Sequence, residues 1–311
     1  MTKKISLIIP AFNEEDCIEE LSKRLIDVFQ LEKEYEFEVL YVENGSIDST
    51  LSKMEKIREQ DNRFKIIQLS RNFRLDGGLT AGLNYATGDA CILMTSDLQD
   101  PPEFIPNFLR EWENGYENIY GLITQRGGTK LLRRMNSRIF YWIANKLAKN
   151  FIVKGASDFR LLDRKAYESL RTLNERNRFV RGLSAWVGFS SKALPLERPA
   201  RFAGVSQAHT GKVIDLAIKG IFAFSNIPLR IVSIFGIAIF FLSSLSTISM
   251  SIAWIFFGVP FAGFGTIVAL ILALIGVVTF MLSVLAEYMG LIYEEVKNRP
   301  NFVVKKTSGI N

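Results

Sequence analysis

The sequence predicts an α/β domain, a mostly parallel sheet with helices on both faces, followed by two membrane-spanning helices. Three observations predict it. Charged residues make up 23% of the 311-residue chain, yet none falls among the 56 residues between Arg230 and Glu287. Ahead of that run, short apolar segments alternate with helical ones. Polar residues gather where the apolar segments end.

The apolar runs 5–10, 37–42, 64–69 and 90–95 read as strands, bounded by turn residues and too short for helices. Between them, 14–29, 50–59 and 77–86 carry helical spacing. Strand–helix repetition with near-continuous apolar strands predicts a parallel sheet buried on both faces. Ligands on such sheets bind at the carboxyl ends of the strands.

The uncharged run divides at the Gly/Pro loop 258–265 into segments 229–257 and 264–289. At about 1.5 Å per helical residue, each exceeds a hydrocarbon core of about 30 Å. Lys212, Lys219 and Arg230 precede the first segment; Lys297, Arg299, Lys305 and Lys306 follow the second, and the connecting loop has no cation. The positive-inside rule then places both termini and the domain in the cytoplasm. Residues 209–228 read as an amphipathic helix along the inner leaflet, with Lys212, Asp215 and Lys219 on one face. The expected division is 1–208 for the domain, 209–228 for the interfacial helix, 229–290 for the spans and 291–311 for a cytoplasmic tail.

Two cysteines, Cys17 and Cys91, are too few for a disulfide framework or a zinc site and read as buried thiols. The start, Met1-Thr2-Lys3-Lys4 before a six-residue apolar run, is not a signal peptide. A net charge of +6 suggests nucleic acid, but several of the cations flank the spans, where anionic lipid accounts for them. Nucleic acid is rejected as a partner.

At the first strand end stands Pro10-Ala11-Phe12-Asn13-Glu14-Glu15, at the second Glu43-Asn44-Gly45-Ser46, at the fourth Thr95-Ser96-Asp97-Leu98-Gln99-Asp100-Pro101-Pro102. Polar strand ends on one edge suggest a nucleotide site, and none is a Gly-rich phosphate loop. A diphosphate there needs another counter-charge, most simply a divalent cation on Asp97 and Gln99. Taken singly, Ser46 and Asp48 read equally well as helix caps, and Asp100 as the cap before Pro101.

Those three segments, with Ser70-Arg71-Asn72-Phe73, resemble family 2 glycosyltransferases of the GT-A (Rossmann-like) fold. Ser157-Asp158-Phe159-Arg160, Arg178-Phe179-Val180-Arg181-Gly182, the two apolar segments and 287–297 narrow the resemblance to polyprenyl-phosphate glycosyltransferases, the bactoprenol glucosyltransferase (GtrB-like) group. It covers nearly the whole chain. The resemblance implies inverting transfer of a sugar from a nucleotide-sugar, usually UDP-glucose, to undecaprenyl or another polyprenyl phosphate at the cytoplasmic leaflet of a bacterial inner membrane. It implies Mg²⁺ or Mn²⁺ as cofactor and allows a homo-oligomer, a tetramer in members of the family.

Carried over residue by residue, Pro10, Phe12 and Glu14 line the nucleotide pocket, Asn44 stands where the base is read, and Asp97 and Gln99 hold the metal. Asp158 matches the family's catalytic aspartate, with Arg160 in support. Arg126 is a nucleotide contact; Arg133, Arg138 and Arg201 are candidate contacts of the acceptor phosphate. The chain departs from the family at Asn44 and Thr95, where Asp is usual, at Ile123, near where Arg is common, and at Gln207, where Lys is usual. These departures leave room for a different donor, or for a catalytically silent scaffold that keeps the fold without turnover. The only histidine, His209, adjoins the last of them. A processive polysaccharide synthase is disfavoured, because no Gln-x-x-Arg-Trp motif and no further spans are present.

Overall fold

A near-continuous apolar strand is stable only with both faces covered, and the first strand meets that condition. In β1 (Lys3–Ala11) every residue from Ile5 to Ala11 is buried. The structure, a computed structural model, describes residues 2–125, 155–176, 178–199 and 264–310, with single helical positions between 232 and 256. It divides into two compact units, Met1–Thr210 with Arg299–Asn311, and Gly211–Asn298.

In the first unit the elements run β1, α1 (Ile18–Leu31), β2 (Tyr35–Glu43), α2 (Thr50–Gln60), β3 (Phe64–Leu69), α3 (Arg74–Tyr85), β4 (Ala90–Leu93), a short 3₁₀ turn (Pro102–Phe104) and α4 (Ile105–Glu113). Then come β5 (Asn118–Gln125), β6 (Ala156–Asp163), α5 (Arg164–Thr172), α6 (Val180–Trp186) and β7 (Ser191–Glu197). One eight-stranded sheet results, in the order β7-β5-β6-β4-β1-β2-β3-β8. Strands β3, β2, β1 and β4 are parallel, as the sequence predicts; β6 runs antiparallel to β4 and to β5, and β7 parallel to β5. The order reverses at β1, with β2 on one side and β4 on the other. That is the switch point at which a crevice opens beyond the carboxyl ends.

Side chains of both strand faces and the inward faces of the helices fill the core. On α1 the buried positions are Ile18, Leu21, Ser22, Leu25, Val28 and Phe29, one stripe at steps of three and four. Each fully buried Leu or Ile contributes about 1.5–3 kcal/mol relative to exposure. At the opposite, amino edge, Glu38 is buried and receives bonds from Ser6 Oγ, Lys65 Nζ and Thr87 Oγ1 at 2.6, 2.8 and 2.7 Å. Burial alone raises that carboxyl; the donors outweigh it and bring it to about 2. Both cysteines are free and buried, as expected.

Element ends differ from the sequence reading where side chains take backbone bonds. Helix α1 starts at Ile18 rather than at residue 14, after a left-handed Asn13 (φ +55°) and a turn closed by Cys17 N–H to Glu14 O, while the N–H groups of Asn13, Glu14 and Glu15 go to Ser46, Thr50 and Asp48. Strand β4 ends at Leu93, two residues early, where Thr95 N–H turns to the Asp100 carboxylate. That bond makes Asp100 an internal acceptor rather than the cap read from Pro101. Near the C-terminus, where the sequence reading had only a tail, β8 (Val304–Ser308) pairs antiparallel with β3 and covers the sheet edge.

In the second unit, α7 (Phe264–Lys297) continues past the expected end at 289. Its stretch Leu274–Lys297, of mean hydropathy 1.9, is the one helix among the described residues long and apolar enough to cross a membrane. Ile267, Leu270, Ile271, Leu274, Val278 and Leu282 are all exposed and recur at steps of three and four, one continuous apolar stripe along the helix. The interfacial helix, 209–228, lies outside the described residues, as does most of the first predicted span, 229–257.

Between α3 and β4, Gly88 sits where a Cβ would lie 2.6–2.8 Å from Ala90 O, Ser6 N and Lys4 O, all backbone. None of these can yield as a flexible side chain does. Gly88→Ala is expected to destabilise the first unit by about 3 kcal/mol, the upper end of ordinary overpacking, measured as a lowered unfolding temperature in detergent.

Candidate active site

The site is built from loops at the carboxyl edge, and side chain to backbone bonds set their shape. After β1 the chain turns at Asn13, whose φ is +55°. Asn13 N–H donates to Ser46 Oγ at 3.1 Å, and its carbonyl Oδ1 accepts Ile47 N–H at 3.0 Å. Glu14 N–H donates to Thr50 Oγ1 at 2.9 Å, and Ser49 N–H to the Glu15 carboxylate at 3.0 Å. The loops after β1 and β2 are thus one body. Pro10 is buried at its base, with Phe12 half-buried above it. Glu14 Oε meets the Cys17 thiol, which burial first, and then Glu14 and Asp97, push up to about 12. Glu14 and Asp97 both carry their charge toward this thiol.

Asn44 is 3% exposed, and its amide is used in both directions. Oδ1 accepts Phe73 N–H at 2.8 Å, and Nδ2 donates to Arg74 O at 2.9 Å. This fastens the loop after β3 to the loop after β2. Gly45 next to it has φ +76°, and a Cβ there would lie 2.6 Å from Arg71 C, so only glycine allows the approach. An aspartate at 44 would accept from Phe73 but have nothing to donate to Arg74 O. The Asn44 departure is thereby matched to a loop whose Arg74 holds φ +64°.

Across the switch point, Ser96 Oγ donates to Pro10 O at 3.0 Å and closes the loop after β4 onto β1. Asp97, 5% exposed, accepts Thr95 Oγ1–H at 2.8 Å and Gln99 N–H at 3.3 Å, with Leu98 turning the chain at φ +58°. Asp100 is fully buried; its Oδ2 accepts Thr95 N–H at 3.0 Å and its Oδ1 is paired with Arg198 Nη2 at 3.0 Å. Burial raises the Asp100 carboxyl, and Arg198 only partly offsets it.

Asp158 enters from β6. The register ends with Leu93 paired to Arg160, which leaves Asp158 beyond the carboxyl end of β4. Arg181, on α6, grips Asp158 with Nε at 2.9 Å and with Nη2 on the other oxygen. Burial by itself would raise the Asp158 carboxyl; Arg181, then Arg160 and Arg198, carry it below its ordinary value. It is a carboxylate held charged, unsuited to taking a proton near neutral pH. Arg160 lies beneath, 2% exposed, donating to Ser157 O at 2.8 Å and to Ser184 Oγ. Asp76, in the first turn of α3, accepts Val180 N–H at 2.9 Å and so fixes the start of α6, one residue from Arg181.

The structure thus brings together Pro10, Glu14, Asp97 and Asp158, keeps Gln99 on the Asp97 turn, and makes Asn44 and Arg160 internal braces. Arg126, Arg133, Arg138 and Arg201, with Gln207 and His209, lie outside the described residues. Ile123 is on β5, its N–H bonded to Gly155 O. Sequence reasoning missed Arg181, Arg198, Asp76 and the inward role of Asp100. Only Arg181 carried a signal, inside the run Arg178–Gly182.

Among the described residues no three His, Cys, Asp or Glu side chains form a metal cage. The turn at Asp97 offers a single carboxylate among hard oxygen donors. That set fits a divalent cation of the Mg²⁺ type, which binds through one or two carboxylates and completes its shell with a ligand's phosphates and water.

The family model described as glycosyl transferase family 2 matches residues 6–171. The chain is 37% identical over 304 residues to the SfII prophage-derived bactoprenol glucosyl transferase of Shigella flexneri, covering 98% of each chain. It is 36% identical over 310 residues to an uncharacterized glycosyltransferase of Synechocystis sp., covering 100% of this chain and 97% of the other. Among solved structures, glucosyl-3-phosphoglycerate synthase from Mycobacterium tuberculosis, in complex with Mn²⁺, UDP and phosphoglyceric acid, superposes with TM-score 0.53 at 16% identity, over 71% of this chain and 76% of that one. The last likeness is one of fold.

Asp76 gives this edge a pH signature. Burial first, then the charge of Asp158, raise its carboxyl to about 6 against Val180 N–H, Arg181 and Arg178, which lower it. The folded protein therefore holds that proton more tightly than the unfolded chain. The stability it brings is full below the ordinary carboxylate value of about 4 and lost as pH rises through about 6. Asp76→Asn, which keeps the acceptor for Val180, is expected to match the wild type near pH 4 and to exceed it by about 3 kcal/mol at pH 8. Thermal unfolding at the two pH values measures the difference.

Proposed function

The chain belongs to glycosyltransferase family 2, in the group of the bactoprenol glucosyl transferases, and we propose that it moves a sugar from a nucleotide-sugar, UDP-glucose or another UDP-hexose, onto undecaprenyl or another polyprenyl phosphate. The enzyme is a glycosyltransferase with a GT-A domain. The observation that supports the acceptor is the likeness over 98% of the chain to a transferase named for bactoprenol, with an apolar helix inside the matched length.

The site suits a phosphate acceptor. A lipid phosphate monoester, with its second pKa near 6, is largely a dianion at neutral pH and needs no strong general base. Asp158, ionised in the grip of Arg181, positions the reacting groups by charge and hydrogen bonding rather than by proton transfer. The acceptor phosphate oxygen forms a bond to the anomeric carbon as the bond to the nucleotide diphosphate breaks. One displacement inverts the configuration and leaves the nucleoside diphosphate. Pro10, Phe12 and Glu14 border the nucleotide. Asp97 and Gln99 are the residues that would hold Mg²⁺ or Mn²⁺, whose charge stabilises the leaving diphosphate. Arg126, Arg133, Arg138 and Arg201 remain the candidate phosphate contacts, Arg126 toward the nucleotide and the other three toward the acceptor.

The same reading makes 1–208 the catalytic domain, 209–228 an interfacial helix, and 229–257 and 264–289 two spans in a bacterial inner membrane, with the domain and both termini cytoplasmic. A homo-oligomer, for instance a tetramer joined through the spans, fits the Gly and Ala residues of 258–276.

In detergent or nanodiscs, incubation with a panel of radiolabelled nucleotide-sugars, undecaprenyl phosphate and Mg²⁺ or Mn²⁺ is expected to put lipid-extractable label on the acceptor from one donor. Asp97→Ala is expected to lower the rate by about 100-fold or more. The wild-type rate is expected to rise with pH through about 6 as the acceptor ionises. No transfer from any donor, together with no nucleotide binding, points instead to a silent membrane scaffold.

A further inference from the structure

Thr95 occupies the place where an aspartate is usual, and its hydroxyl has an unusual setting. Oγ1 lies 2.8 Å from Asp97 Oδ1 and 2.7 Å from Asp100 Oδ2. One hydroxyl has one proton, so at any instant it donates to one of these carboxylates and turns a lone pair toward the other. The two acceptors are unequal. Asp100 is fully buried, already receives Thr95 N–H, and is tied to β7 by Arg198, 98 residues away in sequence. Its position is fixed by three contacts from two elements. Asp97 lies at the head of its turn, where Gln99 N–H reaches Oδ1 at 3.3 Å.

We infer that Thr95 is a cation ligand beside Asp97, its hydroxyl proton directed to Asp100, so that the Thr95–Asp100–Arg198 line supplies the oxygen a second aspartate would have given. This inference rests on Asp97 holding the divalent cation of the proposed transfer. Two neighbouring ligands on an octahedral cation with bonds of about 2.0–2.1 Å stand about 2.9 Å apart. The 2.8 Å between Thr95 Oγ1 and Asp97 Oδ1 matches that edge. With the proton on Asp100, the Thr95 lone pairs face the Asp97 side and no atom has to move far. A neutral ligand in place of a carboxylate leaves the site with one negative charge fewer, which ties cation binding more closely to the arrival of the diphosphate. Arg198 is then a positioning residue, acting through Asp100.

The test is a titration of the full-length protein in detergent with Mn²⁺ in the presence of UDP, free Mn²⁺ being read by electron paramagnetic resonance. Thr95→Val, which keeps the shape and removes the oxygen, is expected to weaken Mn²⁺ binding about 10- to 100-fold, and Thr95→Ser to stay within about threefold. Asp97→Ala is expected to lose binding. A Thr95→Val protein that binds Mn²⁺ as the wild type does, beside an Asp97→Ala protein that does not, overturns the inference and leaves the cation reading standing. Unchanged binding in Asp97→Ala overturns the cation reading itself. Thr95→Cys separates ligation from mere folding support. A soft sulfur at the cation is expected to raise the affinity for Cd²⁺ relative to Mn²⁺ about tenfold over wild type, whereas an unchanged ratio overturns the inference.

Discussion

Two carboxylates on the carboxyl edge of the sheet, Asp100 and Asp158, are each held by an arginine from a distant element, and the site takes its shape from those two pairs. A carboxylate withdrawn from water is costly unless its charge is met and its lone pairs are filled. Arg198 meets Asp100 from the end of β7, and Arg181 meets Asp158 from α6. The first pair fixes the loop after β4; the second ties β6 to the helix that Asp76 caps. Removing Arg198 would leave the fully buried Asp100 carboxylate unmet, and removing Arg181 a half-buried one, so the first pair constrains its loop most strongly. The Arg24–Glu103 pair, between two partly exposed side chains on the outside of the domain, constrains little by comparison.

The topology explains why two sequence segments 60 residues apart meet. Parallel strands β1 to β4 send all their carboxyl ends to one side. An antiparallel β6 beside β4 runs the other way, so its beginning, not its end, reaches that edge. Asp158, third residue of β6, therefore lies at that edge, past the end of β4. Arg160, two residues further into the strand, is carried under the edge and into the core, where it braces Ser157 and Ser184. Asp158 and Arg160, two residues apart, share one face of the strand, and only their depth along it puts the first at the edge and the second in the core.

The parallel half of the sheet was legible because it is written in local pattern: apolar runs of strand length, separated by helical spacing, with polar residues after each run. Asp97 and Asp158 were legible through motif resemblance. What the sequence could not show were pairings set by tertiary register. Asp100 stands before two prolines and reads as a helix cap, yet its carboxylate turns back to Thr95 N–H and out to a residue 98 positions on. Asn44 reads as a weakened base contact, yet both ends of its amide are engaged with Phe73 and Arg74, which no local pattern announces. Strand β8 was hidden for a further reason. Val303-Val304-Lys305-Lys306-Thr307-Ser308 is short and basic, as befits an edge strand, and in the sequence its lysines read instead as charges flanking an apolar segment.

That strand also fixes where the chain rejoins the first unit after α7. Six residues separate the end of α7 at Lys297 from Val304, which pairs with Leu69 at the carboxyl end of β3, and Ser70 N–H bonds Val303 O at 2.9 Å. The chain leaving the apolar helix therefore enters the sheet at the edge that carries the site, on the loop that Asn44 fastens. A linker of that length spans at most about 20 Å, and it is anchored by ladder bonds rather than by a free tail. A polyprenyl phosphate presents its reacting oxygen at the headgroup level and cannot travel far from it. A short covalent path from an apolar helix to β8 and the β3 loop is what the proposed transfer to such a lipid would require.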